Sequence, residues 1–178
     1  YWYMRDYWAS GNGSPVFFRY VDWILTVPLM CVEFYLILKA AGATTKLMWR
    51  MITLSTIMLV TGYLGEAVYP GAAQLWGLVS GIAYFVIVYD IWMGEAKKLA
   101  VAAGGAVESA HNMLAKFVLI GWAIYPLGYM VGTGDNGGGQ WYAFLSGAAS
   151  MDVIYNIGDA INKIGFGLVV YNLAVQSK

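Results

Sequence analysis

Residues 17–34 read FFRYVDWILTVPLMCVEF, a long apolar run interrupted by three ionisable residues, Arg19, Asp22 and Glu33. The run approaches the length of about 20 apolar residues that an α-helix needs to cross a bilayer. A charge at the bilayer centre costs at least about 2.5–3.5 kcal/mol on insertion scales, so ionisable residues within a span indicate function. We therefore expect a membrane-spanning helix whose charged face carries the activity.

The rest of the chain repeats this apolar pattern. Its 178 residues are 60% hydrophobic and 11% charged, whereas soluble domains are about 45–50% apolar and about 25% charged. Apolar stretches of spanning length cover residues 15–38, 47–68, 75–93, 107–131 and 151–175. The breaks between them are polar or rich in glycine and cover residues 39–46, 69–74, 94–106 and 132–140. The pattern predicts an all-α membrane protein with a single domain over residues 1–178.

Basic residues lie mostly on one side of the predicted membrane. They follow the first and third spans, and Lys178 ends the chain, whereas Arg5 precedes the first span and the other two breaks have none. Cytoplasmic loops carry an excess of Lys and Arg. We therefore expect a multi-pass protein of the cell (inner) membrane with its C-terminus in the cytoplasm.

Composition argues against several other classes of protein. Ten basic and ten acidic residues give a net charge of zero, without the basic surplus that predicts nucleic-acid binding. With one cysteine, Cys31, and one histidine, His111, we expect no disulfide framework and no metal site. We expect His111 to be a solvated residue that begins its helix. Glu66 and Asp90 lie near span ends, where charges are expected to reach water.

Polar residues of the first span share one helical face. At about 100° per residue, Arg19, Asp22, Thr26 and Glu33 fall close together around the axis. Asp22 and Glu33 are eleven positions apart in the sequence, which is about 16 Å along a helix. In the last span, Tyr155, Asp159 and Lys163 follow one another at intervals of four residues and also share a face, so the last two side chains can meet.

These charges suggest a proton relay. Arg19 and Lys163 balance Asp22 and Asp159, and a buried cluster of charges must be nearly neutral. Glu33 is left without a cationic partner, and desolvation then favours its protonated form. A charged cluster on the outer side and a neutral acid on the inner side suit one-way proton movement. The alternative is an ion cluster with a purely structural role.

An aromatic helix adds a candidate pocket. The segment GWAIYPLGY places Trp122, Tyr125 and Tyr129 on one face, and Pro126 is expected to kink or loosen the helix. A desolvated lysine such as Lys163 can form a Schiff base with a carbonyl compound. A flat conjugated aldehyde held between aromatic rings would suit both features.

Three segments resemble a known family. RYVDWILTVPL (19–29), GWAIYPLGY (121–129) and YNIGDAINKIGFG (155–167) are similar to segments of the microbial (type 1) rhodopsins, and most similar to those of the proteorhodopsin branch. The resemblance runs over essentially the whole chain and implies a seven-helix bundle around all-trans retinal. It implies that the five spans are the third to the seventh helix, and we expect the first helix and most of the second to be absent.

The resemblance also implies roles for the ionisable residues. Lys163 would hold retinal covalently as a protonated Schiff base. Asp22 would be the primary proton acceptor and counterion, and Asp159 the second counterion. Arg19 would be the outer-side arginine, and Glu33 the cytoplasmic proton donor.

Further residues correspond to positions that contact retinal in the family. The resemblance assigns this role to Trp23, Met30, Trp122, Tyr125, Pro126 and Tyr155. Met30 resembles the position that tunes colour, where Leu or Met accompanies green absorbers. Tyr84 resembles a position where glycine opens a window for an antenna carotenoid in related pumps, and we expect its ring to close that window.

The subtype follows from the triplet Asp22, Thr26 and Glu33, because acids at both ends mark outward proton pumps in this family. The resemblance therefore implies a light-driven outward proton pump, an ion transporter and not an enzyme, which moves protons across a lipid bilayer and forms a homo-oligomer. One alternative is a retinal photosensor of the same fold without net transport. Another is a partial chain that is inactive by itself.

Overall fold

The structure is a computed structural model that describes residues 2–134 and 151–176, and every regular element in these ranges is helical. The α-helices are α1 (Trp2–Ala9), α2 (Val16–Lys39), α3 (Thr45–Tyr63), α4 (Ala73–Trp92), α5 (Glu95–Ala103), α6 (Gly105–Lys116), α7 (Ile124–Gly134) and α8 (Met151–Gln176). A π-helical turn, Leu64–Val68, extends α3, and a 3₁₀ turn, Pro70–Ala72, precedes α4.

Five helical segments are long and apolar enough to cross a membrane, and they confirm the predicted all-α membrane architecture. They are Val16–Lys39, Thr45–Val68, Pro70–Ala103, Gly105–Val131 and Asp152–Val175. In sequence order, α2 packs along α3 and α3 along α4, while α8 packs against α6 and α7. The chain is therefore a multi-pass helical bundle.

The third break is shorter than predicted. Residues 94–106 were expected to separate two spans, but Glu95–Ala103 forms α5, which continues almost directly from α4. Its sequence EAKKLAVAA contains mainly strong helix formers. The helix is interrupted at Met93 and Gly94, and again at Gly104 before α6 begins at Gly105. Gly104 and Gly105 have φ of 64° and 51°, values that favour glycine.

The helical segment that contains Pro126 is broken, as the proline predicts. A π-helical turn at Phe117–Gly121 follows α6, and α7 restarts at Ile124. Pro126 thus lies in the first turn of α7, where its missing N–H leaves no helical hydrogen bond unmade. The predicted break at residues 132–140 begins later than expected, because residues 132–134 belong to α7. The rest of that break lies outside the described ranges.

Two expectations about solvated groups are wrong. His111 is fully buried, and its Nε2–H donates to the Ile91 carbonyl oxygen at 2.9 Å. Asp90 is buried, and its carboxylate accepts two hydrogen bonds from Arg50, at 2.8 and 2.9 Å. In both cases a neighbouring helix supplies the partner, which the local polar sequence does not reveal.

Candidate functional site: a lysine between two carboxylates

The charged faces of α2 and α8 meet inside the bundle. Lys163 Nζ donates to Asp22 Oδ2 at 2.5 Å and to Asp159 Oδ2 at 2.9 Å. The Asp159 side chain is 3% exposed, while those of Lys163 and Asp22 are 21% and 24% exposed. The structure therefore brings together the three ionisable residues that the two sequence faces predicted to be neighbours.

Aromatic donors hold Asp159 in place. Tyr125 donates its hydroxyl to Asp159 Oδ1 at 2.5 Å, and Trp23 Nε1–H donates to Oδ2 at 3.3 Å. The Trp23 ring packs edge-on against Tyr125 and Tyr155, with centroids 4.8 and 5.4 Å away. With the lysine contact, Asp159 accepts three hydrogen bonds.

Thr26 and Glu33 occupy different surroundings on α2. Thr26 Oγ1 donates to the backbone carbonyl of Asp22 at 3.0 Å, one turn earlier. Glu33 is partly buried, and it forms no hydrogen bond or ion pair with another residue in the described ranges. The eleven-residue separation from Asp22 lies within the continuous helix α2, so the spacing of about 16 Å along the axis applies.

Arg19 does not join the lysine cluster, contrary to the predicted neutral quartet. It pairs with Asp152 of α8, and its Nη1 lies 3.9 Å from Glu66 Oε1. Its guanidinium lies over the Tyr155 ring, 4.3 Å from the centroid. Tyr20 donates its hydroxyl to Glu66 at 3.0 Å. We call Arg19, Glu66 and Asp152 the outer cluster.

Sequence reasoning missed both acids of the outer cluster. Glu66 was expected to be solvated, yet its side chain is only 10% exposed. Asp152 precedes Asp159 by seven residues, a rotation that ends about 20° from two full turns. Asp152 therefore lies on the same face of α8 as Asp159, and this spacing could have indicated that Asp152 faces the bundle interior. Nothing in the sequence of α3 signals the contact between Glu66 and Arg19.

An apolar cavity of about 460 Å³ adjoins the lysine cluster. Four residues assigned to retinal contact line it: Trp23, Trp122, Tyr125 and Pro126. Met30 and Tyr155 are buried but are not among the wall residues. Small-molecule sites are mostly apolar clefts of about 300–1,000 Å³ with few polar groups. The cavity, with Asp159 bonded to two of its wall residues, fits a long apolar aldehyde that reaches Lys163.

Tyr84 lines this cavity but does not close it. Its ring is buried, and its hydroxyl donates to the carbonyl oxygens of Val118 and Leu119, both at 3.1 Å. Earlier in α4, the wall contains Gly77 and Gly81, which contribute no side chain. The expected seal is therefore incomplete. That the protein binds no antenna carotenoid stays a prediction, but the Tyr84 ring alone does not provide the steric barrier on which the prediction was based.

The described residues offer no alternative built around a metal. Within residues 2–134 and 151–176, no group of three or more His, Cys, Asp or Glu side chains is placed to hold a metal ion. The fold and the lysine cluster together define a helical membrane protein with a partly buried lysine between two carboxylates.

Comparison with known proteins identifies the family. The sequence model described as "Bacteriorhodopsin-like protein" matches residues 1–177. The chain belongs to this family of microbial rhodopsins.

Individual relatives point to one branch. The green-light absorbing proteorhodopsin of Gamma-proteobacterium EBAC31A08 is 41% identical over 179 residues, which cover 99% of this chain and 68% of the relative. The blue-light absorbing proteorhodopsin of Gamma-proteobacterium Hot 75m4 is 40% identical over 178 residues, with the same coverage.

Solved structures agree with the fold. The crystal structure of the blue light-absorbing proteorhodopsin from Med12 is 38% identical, has a TM-score of 0.72, and is matched over 99% of this chain and 75% of that one. The Exiguobacterium sibiricum rhodopsin structure is 30% identical with a TM-score of 0.73, over 94% of this chain and 74% of that one. The all-helical rhodopsin fold is therefore confirmed, whereas the correspondence to helices three to seven stays a prediction.

Proposed function

We propose that the chain is a light-driven outward proton pump that holds retinal on Lys163. The carrying observation is the contact of 2.5 Å between Lys163 Nζ and Asp22 Oδ2. This contact places a carboxylate at hydrogen-bond distance from the nitrogen whose proton must move. The similarity to green- and blue-light absorbing proteorhodopsins supports the proposal.

Retinal, when bound, would supply the absorption of visible light and a light-driven isomerisation that lowers the proton affinity of the Lys163 nitrogen. The residues of the chain then accept the proton and balance the charge. Asp22 accepts the proton. Asp159, held by Tyr125 and Trp23, stays ionised and keeps the site close to neutral. Opposite charges within about 4–6 Å favour the charged form of each group, so both carboxylates stabilise a cationic nitrogen at rest.

Glu33 restores the proton from the other side. Its position on α2, about 16 Å from Asp22 along the axis, is too remote for it to act as a counterion. It is partly buried on the lysine-rich side of the predicted membrane. A proton donor on that side and an acceptor on the other set the direction, which is outward under the positive-inside rule.

The test measures light-driven pH changes around cells that express the chain with retinal. We expect illumination to acidify the medium and a protonophore to abolish the signal. Lys163→Ala should remove both the visible band and the pH change, because the Lys163 nitrogen is the amine that contacts both Asp22 and Asp159. Lys98→Ala is the matched control, since Lys98 is exposed on α5 and should leave both unchanged.

The other results have defined meanings. A visible band without net proton release would favour the photosensor of the same fold. The absence of any visible band in the unmodified protein would contradict retinal binding and with it the proposed function.

A further inference from the structure

The apolar cavity is not enclosed on all sides. Part of its wall belongs to the outer surface of α4, where Leu78, Ile82 and Phe85 line the cavity and are 49%, 56% and 65% exposed. Across from them, the wall includes Pro126 and Met130 of α7. The cavity therefore reaches the lipid-facing surface between α4 and α7.

Glycine creates this lateral opening. A Cβ atom added to Gly81 would meet no atom within 4 Å, whereas at Gly165 it would press on the Phe117 ring. Gly81 is therefore not required by close packing of helices. Glycine is unfavourable relative to alanine inside a helix, yet α4 carries Gly77 and Gly81 one turn apart in the same wall. Their common effect is to leave the wall open.

The two ends of the bundle offer poorer passages to an apolar molecule. Towards one end lies the outer cluster, in which buried Arg19 and Glu66 would have to be separated. Separating buried charges from their partners is strongly unfavourable. Towards the other end, the rings of Phe34, Phe166 and His111 form a fully packed layer, with centroids 5.5 and 5.7 Å apart. The lateral opening requires neither change.

We infer that the opening beside Gly77 and Gly81 is the passage through which retinal moves from the bilayer into the cavity. The inference rests on the proposed function, since it concerns the loading of the same site. Retinal is apolar and dissolves in the membrane, so an opening that faces lipid lets it enter the cavity without crossing water. Its aldehyde end would lead towards Trp23 and Tyr125, the wall residues that hydrogen-bond Asp159.

Loading then requires one condensation. The ammonium group of Lys163 passes a proton to a carboxylate, and Asp22 Oδ2 lies 2.5 Å away for this purpose. The neutral amine attacks the aldehyde carbon. A C=N bond replaces the C=O bond, and the oxygen leaves as water with the two remaining amine hydrogens. The proton held by the carboxylate then returns to the imine nitrogen. The reaction needs no oxidant or reductant.

The experiment fills the opening with side chains of increasing size. Gly81→Ala, Gly81→Leu and Gly81→Phe are produced in membranes without retinal, retinal is added, and the growth of the visible band is followed. We expect progressively slower growth, by at least about tenfold for phenylalanine, because a filled wall admits a ligand only when the helices separate. Gly167→Leu is the matched control, because Gly167 is an exposed glycine of α8 that also has open space around it.

A second preparation separates loading from folding. The same variants are produced with retinal present during synthesis, and they should show the band of the unmodified protein. If Gly81→Phe remains colourless there, the comparison of Gly81→Ala with Gly81→Leu decides, and equal rates for these two would overturn the inference.

Equal loading rates for all variants would also overturn it, and would indicate access through the partly exposed side of Lys163 and Asp22. If the unmodified protein acquires no band in either preparation, the proposed function fails, and that result is distinct from a change in rate.

Discussion

Asp22 is the carboxylate nearest to the Lys163 nitrogen, so its charge should control both colour and transport. A negative charge beside a cation stabilises the cationic ground state of the chromophore. We expect Asp22→Asn to shift the visible band to longer wavelength and to abolish light-driven acidification. Acidification of the unmodified protein should shift the band in the same direction as Asp22 becomes protonated.

Spectra recorded across a pH titration check this prediction. Asp6→Asn serves as the control, because Asp6 is exposed on α1 and pairs only with Arg5. An Asp22→Asn protein that keeps both its colour and its pumping would show that another group accepts the proton.

Glu33 should govern the rate of proton return and little else. It lies too far along α2 from Asp22 to act on the resting chromophore. We expect Glu33→Gln to slow the second half of the photocycle by about tenfold or more, since general acids typically contribute factors of about 10²–10⁴. Flash spectroscopy measures the photocycle rate. Glu108→Gln is the control, because Glu108 pairs with Lys97 outside the lysine cluster. A large change in the resting band would contradict the placement of Glu33.

The lysine cluster could be predicted from sequence, but the outer cluster could not. Asp159 and Lys163 lie one turn apart on a single helix, and helical geometry alone brings such residues together. The contacts of Arg19 join three helices, α2, the turn after α3, and α8. Which acids reach Arg19 depends on the rotation and tilt of those helices, and packing sets both. His111 shows the same limit, since the Ile91 carbonyl and the Phe34 ring that contact it lie on α4 and α2.

At the level of elements, the broken segment of α6 and α7 depends on its neighbours. The π-helical turn Phe117–Gly121 leaves backbone carbonyls without regular helical partners, and side chains supply donors. The Tyr84 hydroxyl donates to the carbonyl oxygens of Val118 and Leu119, and Asn162 Nδ2 donates to the Gly121 carbonyl oxygen at 2.9 Å. The proline signalled the break, but the donors come from α4 and α8 and could not be read locally.

Tyr84→Phe tests this support. The substitution keeps the ring in the cavity wall and removes the hydroxyl, so a buried acceptor loses its donor. We expect the free energy of unfolding to fall by about 1–3 kcal/mol, with little change in the visible band. Thermal denaturation measures the first effect. Tyr89→Phe is the control, because Tyr89 is exposed on the same helix, and an equal loss there would argue against the role of the carbonyl bonds.

On the scale of the whole molecule, Lys163 and Arg19 belong to two groups of charges that have different partners. Lys163 is held by Asp22 and Asp159, and Arg19 by Asp152 and Glu66. We therefore expect Asp152→Asn to lower thermal stability while shifting the visible band far less than Asp22→Asn does. Paired absorption spectra and melting curves of the two variants check this. Shifts of equal size would show that the two groups act as one electrostatic unit.

The bundle as a whole was the most predictable level. Five apolar segments of spanning length were evident from composition. The helices match them because in lipid a helix satisfies every backbone N–H and C=O group within the segment itself. The exception is α5, where helix formers continue beyond the apolar stretch.

The packed rings of Phe34 and Phe166 have a consequence for energy storage. Both side chains are 1% exposed, and hydrocarbon rings neither donate nor accept protons. This apolar contact between α2 and α8 offers a proton no partner. A pump of the proposed kind would therefore lose little of the stored membrane voltage through this contact in darkness.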